Sequence, residues 1–483
     1  MIDYISTLSI DFGLILPELL LLIAASVILM VAFMRRLSRL SPLIGVIGLG
    51  AALLTALAQL NTQKGGFAGM VTVDPFGALF KVLFAFASLL SLAIALRYLE
   101  SNKINHPEFY ALLLISTMGM MVMATSTDLV VIFLGLEIMS LPLYVMAGLA
   151  RRSLESNEAG IKYFIMGAFA TGFLLMGIAF IYGAAETTNL RRIVTDFAYV
   201  SGNAKTYLYA GAGLLLIGFG FKVAAVPFHS WVPDVYQGAP TPVTAFFSVA
   251  PKAAGFAALL RIFNFGLADL DAMVPVLWVL AALTMSVGNI LALRQDNVKR
   301  MLAYSSISHA GYILVALTAG GSEAVSAAMF YLIAYTLFNL GGFAVVTLLE
   351  QRTGCRSDFS ELTGLSKTNP YLTAVLALFM FALSGFPPTV GFLGKFYIFA
   401  AAVNGGFIWL TVIGVMNSFV SVYYYLRVVK VSYFDQPAEN PKPAAVTPAL
   451  FLVLVVAAIG TLGLGLFPDR ILELSRSAFF ALM

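Results

Sequence analysis

Apolar runs long enough to cross a lipid bilayer follow one another along almost the whole chain. We place them at 12–34, 41–60, 75–97, 107–125, 128–150, 159–184, 207–228, 241–263, 272–293, 298–319, 323–350, 370–400, 405–433 and 446–467. A helix needs about 20 apolar residues to cross a hydrocarbon core of about 30 Å. The pattern therefore predicts an all-α polytopic membrane protein with about 14 transmembrane helices.

The composition excludes a water-soluble protein and offers little to a cofactor. Hydrophobic residues make up 60% of the 483 residues and charged residues only 11%, whereas soluble domains have about 25% charged residues. The single cysteine, Cys355, excludes an internal disulfide and an all-thiolate metal or iron–sulfur site. Three histidines leave little for a metal centre, and no nucleotide-binding glycine motif follows a strand. We expect no cofactor in this chain. Asp3 and Asp11 before the first span argue against a cleavable signal.

The distribution of Lys and Arg between alternate loops predicts the orientation. One set has 16: Arg35, Arg36, Arg39, Arg97, Lys103, Arg151, Arg152, Arg294, Lys299, Arg300, Arg352, Arg356, Lys367, Arg427, Lys430 and Lys442. The other has 7: Lys64, Arg191, Arg192, Lys205, Arg261, Arg470 and Arg476. Because basic loops stay on the cytoplasmic side, the first set is predicted to be cytoplasmic and both termini to be outside.

Assigning these 23 residues to loops leaves five of the 28 Lys and Arg, and all five are lysines: Lys81, Lys162, Lys222, Lys252 and Lys395. Glu137 is interpreted as the single buried glutamate. A charge at the bilayer centre costs somewhere between about 2.5 and 17 kcal/mol, so intramembrane charges usually mark ion or proton pathways. We therefore expect these residues to relay protons.

Two predicted spans are interrupted by proline. The first, within GFGFKVAAVPFHSWVPDVYQGAPTPVTAFF at 218–247, gives a broken helix over about 207–240. The second, within FMFALSGFPPTVGFLGKFYIF at 379–399, gives one over about 370–400. Broken helices at membrane depth line cavities or are buried in protein, and paired ones are typical of transporters built from inverted repeats. A loop that enters the membrane only for packing remains the alternative.

These breaks suggest a division of the chain into N-terminal helices at 1–106, a first repeat at 107–263, a second repeat at 272–433 and a C-terminal helix at 446–483. Lys222 and His229, seven residues apart, would share a helix face if the helix persisted that far. Glu137 and a lysine could form a proton switch, or else a static buried ion pair that fixes helix packing.

The remaining charged positions are less specific. Lys252 follows Pro251, and His309 lies in LAYSSISHAGYILVAL beside Ser305, Ser306, Ser308 and Tyr304. Histidine can accept and donate protons near neutral pH, although a lone helical histidine is often only a packing residue. Lys162, near a helix end, could instead extend to the interface, and Lys81 is better explained as structural.

The stretch PFHSWVPDVYQGAPTPV resembles a signature of the antiporter-like membrane subunits of respiratory complex I and of multisubunit sodium/proton antiporters. RQDNVKRMLAYSSISHAGY at 294–312 is similar to the second signature of that family. The resemblance covers about 107–430. NEAGIKYFIMGAFATGF and SGFPPTVGFLGKFYIF resemble the subunit N branch of NADH–quinone oxidoreductase.

The resemblance implies a proton-translocating membrane subunit, multi-pass in a bacterial inner membrane, beside homologous subunits. NADH, FMN, iron–sulfur clusters and quinone would bind to partner subunits. It implies that Glu137 and Lys222 form the charged pair of a first half-channel. Lys252 and His309 would lie on a central axis, and Lys395 would end the second half-channel. A sodium/proton antiporter subunit is the alternative function, and a membrane scaffold is disfavoured by the buried charges.

Overall fold

The computed structural model describes residues 11–34, 36–196, 202–267, 271–353, 357–436 and 446–480. Both termini, Cys355 and the loop cations Arg35, Arg356 and Lys442 lie outside these residues. Apart from one short hairpin and connecting loops, the described chain is helical.

The helices, numbered in chain order, are α1 (Leu16–Ala32), α2 (Ser41–Ala58), α3 (Pro75–Ser101), α4 (Pro107–Thr125), α5 (Leu129–Ala147), α6 (Leu154–Ala185), α7 (Leu190–Asp196), α8 (Asn203–Val223), α9 (Trp231–Gly238), α10 (Thr241–Arg261), α11 (Val274–Ala292), α12 (Val298–Ala319), α13 (Gly321–Thr353), α14 (Leu365–Thr368), α15 (Pro370–Ser384), α16 (Val390–Asn404), α17 (Ile408–Phe434), α18 (Pro448–Leu466) and α19 (Asp469–Phe480). Between α2 and α3, β1 (Lys64–Gly66) pairs antiparallel with β2 (Val71–Val73), with Lys64 opposite Val73.

The predicted all-α polytopic architecture is confirmed. Thirteen helical segments among the described residues are long and apolar enough to cross a membrane. The predicted span at 370–400 is instead two shorter apolar helices, α15 and α16, in succession. Counted together as one crossing, they account for the fourteenth predicted span.

Local sequence sets where several spans begin. Asp74 precedes α3, and its Oδ1 accepts a hydrogen bond from the Gly77 N–H at 2.6 Å. Asp128 caps α5 in the same way, and Asn297 caps α12. These side chains satisfy N–H groups that a helix leaves without a partner in its first turn. They fix the level at which each helix enters the apolar layer.

Three helices form the centre of the molecule. α10, α12 and α13 are buried along nearly their whole length, whereas α1, α2 and α17 carry large exposed apolar side chains such as Met30, Leu54 and Phe419. Exposed apolar faces suit lipid or neighbouring membrane subunits. Polar residues on the three central helices are therefore enclosed by protein.

Two of the three isolated backbone bridges among the described residues share one pattern and lie at opposite ends of the bundle. Asp128 pairs with Asn189, and Asn297 pairs with Asp358. In the first bridge the Leu129 N–H donates to Thr188 O and the Leu190 N–H to Thr127 O; in the second, Val298 donates to Ser357 O and Phe359 to Asp296 O. Five spans, α5, α6, α8, α10 and α11, separate Asp128 from Asn297. The same local pattern thus lies on opposite faces.

Both predicted helix interruptions are present, and they share one backbone pattern. α8 ends before Ala224, which has a φ of 66°, and α15 ends before Gly385, which has a φ of 83°. In each case the next residue's N–H bonds a carbonyl five residues back, from Ala225 to Gly220 and from Phe386 to Phe381. This is the hydrogen bond of a Schellman motif. The chain then resumes as α9 and α16.

Candidate functional site

Lys222 lies in the last turn of α8, directly before the first break, and it is 3% exposed. Its Nζ donates to Ser140 Oγ on α5 at 2.6 Å and lies 3.5 Å from the Tyr163 hydroxyl oxygen. The rings of Tyr144 and Tyr163 also lie 5.5 and 5.3 Å from Nζ, within the range of cation–π contacts. The amine is therefore held by hydroxyl and aromatic groups.

Glu137 is half-buried on α5, and no ion pair within 4.0 Å joins it to Lys222 in the described structure. Its Oε1 accepts a hydrogen bond from Thr171 Oγ1 at 2.8 Å. A cavity of about 10 Å³ is lined by both Thr171 and Lys222. Such a cavity is close to the smallest that holds one water molecule. Thr171 therefore lies between the carboxylate, to which it donates, and the cavity beside the amine.

His229 lies in the first break, between α8 and α9, so the helix does not persist to it and the condition for sharing a helix face with Lys222 is not met. The helix ends at Val223 because Ala224 adopts a left-handed conformation. His229 is half-buried, and its Nδ1 has no hydrogen-bond partner among the described residues.

Lys252 lies at the middle of α10 and is 4% exposed. Its Nζ donates to Ser306 on α12, at 3.1 Å to the backbone oxygen and 2.8 Å to Oγ. The Tyr236 ring of α9 lies 5.7 Å from Nζ. Lys252 thus links the first broken helix to the helix that carries His309.

His309 is hydrogen-bonded through both ring nitrogens. Nδ1 lies 2.5 Å from the Tyr331 hydroxyl of α13, and Nε2 lies 2.9 Å from the Tyr425 hydroxyl of α17. Tyr425 is also hydrogen-bonded to Ser305. Each pair can donate in either direction, depending on the imidazole tautomer. The sequence analysis did not single out these two tyrosines. Their position inside the apolar runs 330–338 and 408–426 is the feature of the sequence that could have indicated them.

Lys395 lies in α16. Its side chain reaches across the second break and donates hydrogen bonds to backbone carbonyl oxygens at the end of α15. Its Nζ donates to the carbonyl oxygens of Leu383 and Ser384 at 3.1 and 3.0 Å, and to Ser418 Oγ at 3.0 Å. A Cβ at Gly385 would lie 3.0 Å from Lys395 Cδ. The glycine therefore serves both the left-handed turn and the close passage of the lysine.

Three charged residues correct the predicted set of buried ions. Arg261, assigned to a loop, is 2% exposed and forms two hydrogen bonds with Asp74 at 2.9 and 3.0 Å. Glu18 is buried in α1, so Glu137 is not the single buried glutamate. Lys299, also assigned to a loop, is 5% exposed and pairs with Glu350 at 3.4 Å. Arg261 and Lys299 lie near helix ends, where predicted span limits are least certain, whereas Glu18 lies well inside the predicted span 12–34.

Lys81 and Lys162 have carboxylate partners. Lys81 is fully buried and pairs with Glu18 at 2.8 Å. Lys162 is not deeply buried, since its side chain is 40% exposed, and it pairs with Glu158 and Asp234 at 2.6 and 2.7 Å. Asp234 also accepts a hydrogen bond from Arg300 at 2.7 Å. Burial raises the pKa of Asp234, but the hydrogen bonds from Lys162 and Arg300 outweigh it and leave the pKa below its ordinary value.

The buried lysines therefore fall into two groups. Lys81 and Lys299 each have a carboxylate within 4.0 Å. Across the described ranges, the Nζ atoms of Lys222, Lys252 and Lys395 have no such partner and bond only to hydroxyls and carbonyls. A search of the same residues finds no cluster of three or more His, Cys, Asp or Glu arranged to hold a metal ion.

Comparison with known proteins identifies the family. Residues 126–421 match the family model described as NADH:quinone oxidoreductase/Mrp antiporter, TM. The chain is 47% identical to NADH-quinone oxidoreductase subunit N of Trichlorobacter lovleyi over 480 residues, 97% of each chain.

Solved structures agree with this match. A chain of respiratory complex I from Thermus thermophilus has a TM-score of 0.80 at 33% identity, covering 95% of this chain and 98% of that one. A chain of the Mrp complex from Dietzia sp. DQ12-45-1b shares the fold, with a TM-score of 0.86 at 23% identity and 96% coverage of both. The chain therefore belongs to the NADH:quinone oxidoreductase/Mrp antiporter transmembrane family and, within it, to the subunit N branch of the NADH-quinone oxidoreductases.

Proposed function

We propose that this chain is a proton-translocating membrane subunit of a respiratory NADH–quinone oxidoreductase. The observation that carries the proposal is the row of buried lysines without carboxylate partners, namely Lys222, Lys252 and Lys395. Lysine can release and rebind its proton, whereas arginine stays protonated. A hydroxyl partner can accept from an ammonium or donate to a neutral amine, so each site can hold either form.

The proposed route connects these residues, in part through hydrogen bonds. Glu137 reaches Lys222 through Thr171 and the small cavity beside it. Lys252 follows, bound to Ser306. One residue earlier in the same helix, Ser305 begins a hydrogen-bonded chain through Tyr425 to His309 and Tyr331, and Lys395 ends the row at the second break.

Lys162 and His229 are secondary members of the route. Lys162 shares Asp234 with Arg300, which favours a role in holding α9 in place. His229 has a ring nitrogen buried without a described partner, which suits a position beside water at the break.

The oxidoreductase activity belongs to the assembly rather than to this chain. NADH oxidation and quinone reduction, with FMN and iron–sulfur clusters, are assigned to partner subunits. The partners in the membrane would be homologous antiporter-like subunits, consistent with the exposed apolar faces of α1, α2 and α17. We place the chain in a bacterial inner membrane with both termini periplasmic, as the loop charges predict.

The two halves, 107–263 and 272–433, are proposed to be inverted repeats. The recurring bridges at opposite ends of the bundle support this, as do the matching backbone turns at Ala224 and Gly385. The segments 1–106 and 446–483 would flank the repeats.

Deletion of the gene tests the proposal against the antiporter alternative. Membranes from the deletion strain should lose proton pumping driven by NADH–quinone reductase and keep their sodium–proton exchange. Retained NADH-driven pumping together with lost sodium–proton exchange would contradict the proposal and favour an antiporter subunit. Re-expression of the wild-type chain should restore pumping, which excludes an effect on neighbouring genes.

A further inference from the structure

A wide polar depression opens on the face that the loop charges predict to be cytoplasmic. Its volume is about 1240 Å³, and its lining includes Lys103, Arg151, Arg152, Lys299, Glu350 and Asp358. The depression is lined by the ends of several central helices, including the start of α12 and the end of α13. Water and protons can therefore approach the buried helices from this side.

Glu350 lies at the boundary between this depression and the protein interior. Its carboxylate accepts hydrogen bonds from Tyr98 at 3.2 Å, and from Thr241 and Ser357, and it lies 3.4 Å from Lys299 Nζ. The Glu350 side chain is 11% exposed. These partners come from α3, α10, α12 and the segment after α13. A carboxylate in this position meets bulk water on one side and the start of α10 on the other.

Two facing polar rows lead inward from Glu350 toward Lys252. On α10, the polar side chains are Thr241, Thr244, Ser248 and Lys252, which recur at helical spacing. On α13, Asn339 donates to Ser248 Oγ at 2.6 Å. Thr241 and Ser248 are seven residues apart, which corresponds to roughly 10 Å along a helix.

Two buried polar atoms beside these rows have no hydrogen-bond partner among the described residues. They are Oδ1 of Asn339 and the hydroxyl of Tyr335, one turn farther along α13. The Tyr335 ring lies 5.0 Å from the His309 ring. Buried polar groups are nearly always satisfied, often by an ordered water. Both atoms therefore mark positions for water between Glu350 and the central row.

We propose that Glu350 is the proton-loading residue at the cytoplasmic mouth and that it supplies Lys252. The inference rests on the proposed function. Glu350 takes a proton from water in the depression. A protonated carboxyl then releases that proton into water beside Ser248 and Asn339, and the neutral amine of Lys252 accepts it, which leaves a carboxylate and an ammonium. No other bond is made or broken.

The alternative is that Glu350 only ties helix ends together. Four partners from different elements would suit that role too, so loss of activity alone does not separate the two. Glu350→Gln separates them because glutamine keeps the size and one acceptor oxygen but cannot load a proton. A residue that supplies protons should matter most when bulk protons are scarce, whereas a structural tie should matter equally at every pH.

The test uses the whole oxidoreductase in membrane vesicles, with NADH as donor, and measures proton pumping and quinone reduction from pH 6 to 8. Glu350→Gln leaves the buried Lys299 without its carboxylate, so less assembled complex is expected, and both rates are taken per assembled complex. Per complex, both rates should fall about fivefold at pH 8, with a smaller loss at pH 6. Glu361→Gln removes another carboxylate that lines the same depression. It should leave both rates unchanged.

A double variant tests the connection to Lys252. If Glu350 supplies Lys252, Glu350→Gln combined with Lys252→Met should pump no worse than Lys252→Met alone. Wild-type rates in Glu350→Gln, a loss that is the same at every pH, or multiplicative losses in the double variant would each overturn the inference. If Lys222→Ala still loses pumping in that case, the proposed function stands. If Lys222→Ala also pumps normally, the proposed function fails with it.

Discussion

Buried lysines at the N-terminal helices and in the centre of the molecule have opposite surroundings. Lys81 of α3 is enclosed by Glu18, Gln59 and the Leu14 carbonyl oxygen, at 2.8, 3.2 and 3.1 Å. Lys252 of α10 is equally buried, yet its only hydrogen-bonding partner among the described residues is Ser306. A carboxylate at contact distance stabilises the ammonium form, whereas a serine accommodates the protonated or the neutral amine.

The difference separates cations that hold the fold from cations that can exchange protons. Arg261 with Asp74 belongs to the first kind, because its charge is permanent and its geometry is bidentate. Lys222 and Lys395 belong to the second kind, together with Lys252. If this comparison is sound, replacing a cation that has a carboxylate partner should lower stability, and replacing a buried lysine that has none should lower proton transport.

The largest expected effect is on stability, from Lys81→Met. The change leaves the Glu18 carboxylate buried without its cation, and breaking a buried pair on one side costs about 3–5 kcal/mol. We expect little assembled subunit in membranes and a lower thermal unfolding midpoint in detergent.

The matched control replaces both charges, as Glu18→Gln with Lys81→Met. Since the double variant leaves no uncompensated charge, it should be more abundant and more stable than Lys81→Met alone. A Lys81→Met subunit that assembles normally but fails to pump would place Lys81 in the transport row and break the comparison.

The second-largest effect is expected from Lys395→Ala, which should lose both stability and proton pumping. Lys395 lacks a carboxylate partner, but its Nζ satisfies two carbonyl oxygens at the end of α15. Leaving buried acceptors unsatisfied costs about 1–3 kcal/mol. We expect a lower unfolding midpoint together with lost proton pumping. An unchanged midpoint would show that water replaces the ammonium at the break.

Lys222→Ala should lose transport while stability is retained. Its Nζ bonds Ser140, a side chain that can find other partners, and no helix end depends on it. We expect proton pumping to fall at least about tenfold, as for loss of a proton-transfer residue, with normal assembly. Lys222→Arg should not restore pumping, because arginine keeps its proton. Normal pumping in Lys222→Ala would make this lysine structural.

Prolines made the two helix breaks predictable from the sequence. Lys222 and Lys395 could be singled out as candidate functional residues because they lie beside these breaks. Pro227 and Pro388 cannot continue a helix hydrogen-bond pattern, and a lysine lies near each break. The pairing of charges could not be predicted, because Glu18 and Lys81, or Asp74 and Arg261, lie on different helices far apart in the chain. Only packing brings them together.

The limits of the spans explain the remaining errors. Arg261 lies in the last turn of α10, and Lys299 in the first turn of α12. Both lie within three residues of an end of the predicted spans 241–263 and 298–319, and a position so close to a span end does not show whether neighbouring helices cover the side chain. The tyrosine partners of His309 carry no sequence signal that distinguishes them from other tyrosines in apolar runs.

A smaller effect on proton pumping is expected from Glu137→Gln, because Glu137 forms no ion pair with Lys222. Because Glu137 is connected to the cavity beside Lys222 only through Thr171, Glu137→Gln should lower pumping less than Lys222→Met does. The double variant should match Lys222→Met, since residues that act as a unit are not additive. Proton pumping in vesicles from all three variants is the measurement. Multiplicative losses would mean that the carboxylate and the amine work independently.

The smallest expected effect concerns Asp234, which lies on α9 outside the spans and joins Lys162 to Arg300. Its pKa is lower in the folded protein than its ordinary value of 3.8. A carboxylate with a depressed pKa contributes stability that is complete above its ordinary pKa and is lost as the pH falls through the folded value.

Lowering the pH from 7 to below the ordinary pKa of Asp234 should therefore weaken this contact, but only slightly. The side chains of Lys162 and Asp234 are 40% and 35% exposed, so solvent screening limits the contribution to within about 1 kcal/mol. Asp234→Asn removes the titrating group while keeping hydrogen-bonding capacity. The drop in unfolding midpoint between pH 7 and pH 3.5 should be smaller in Asp234→Asn than in the wild type. An equal drop would mean that Asp234 does not tie α9 to its neighbours. An effect on pumping as large as that of Lys222→Ala would instead place Asp234 on the proton route and remove the distinction between paired and unpaired lysines.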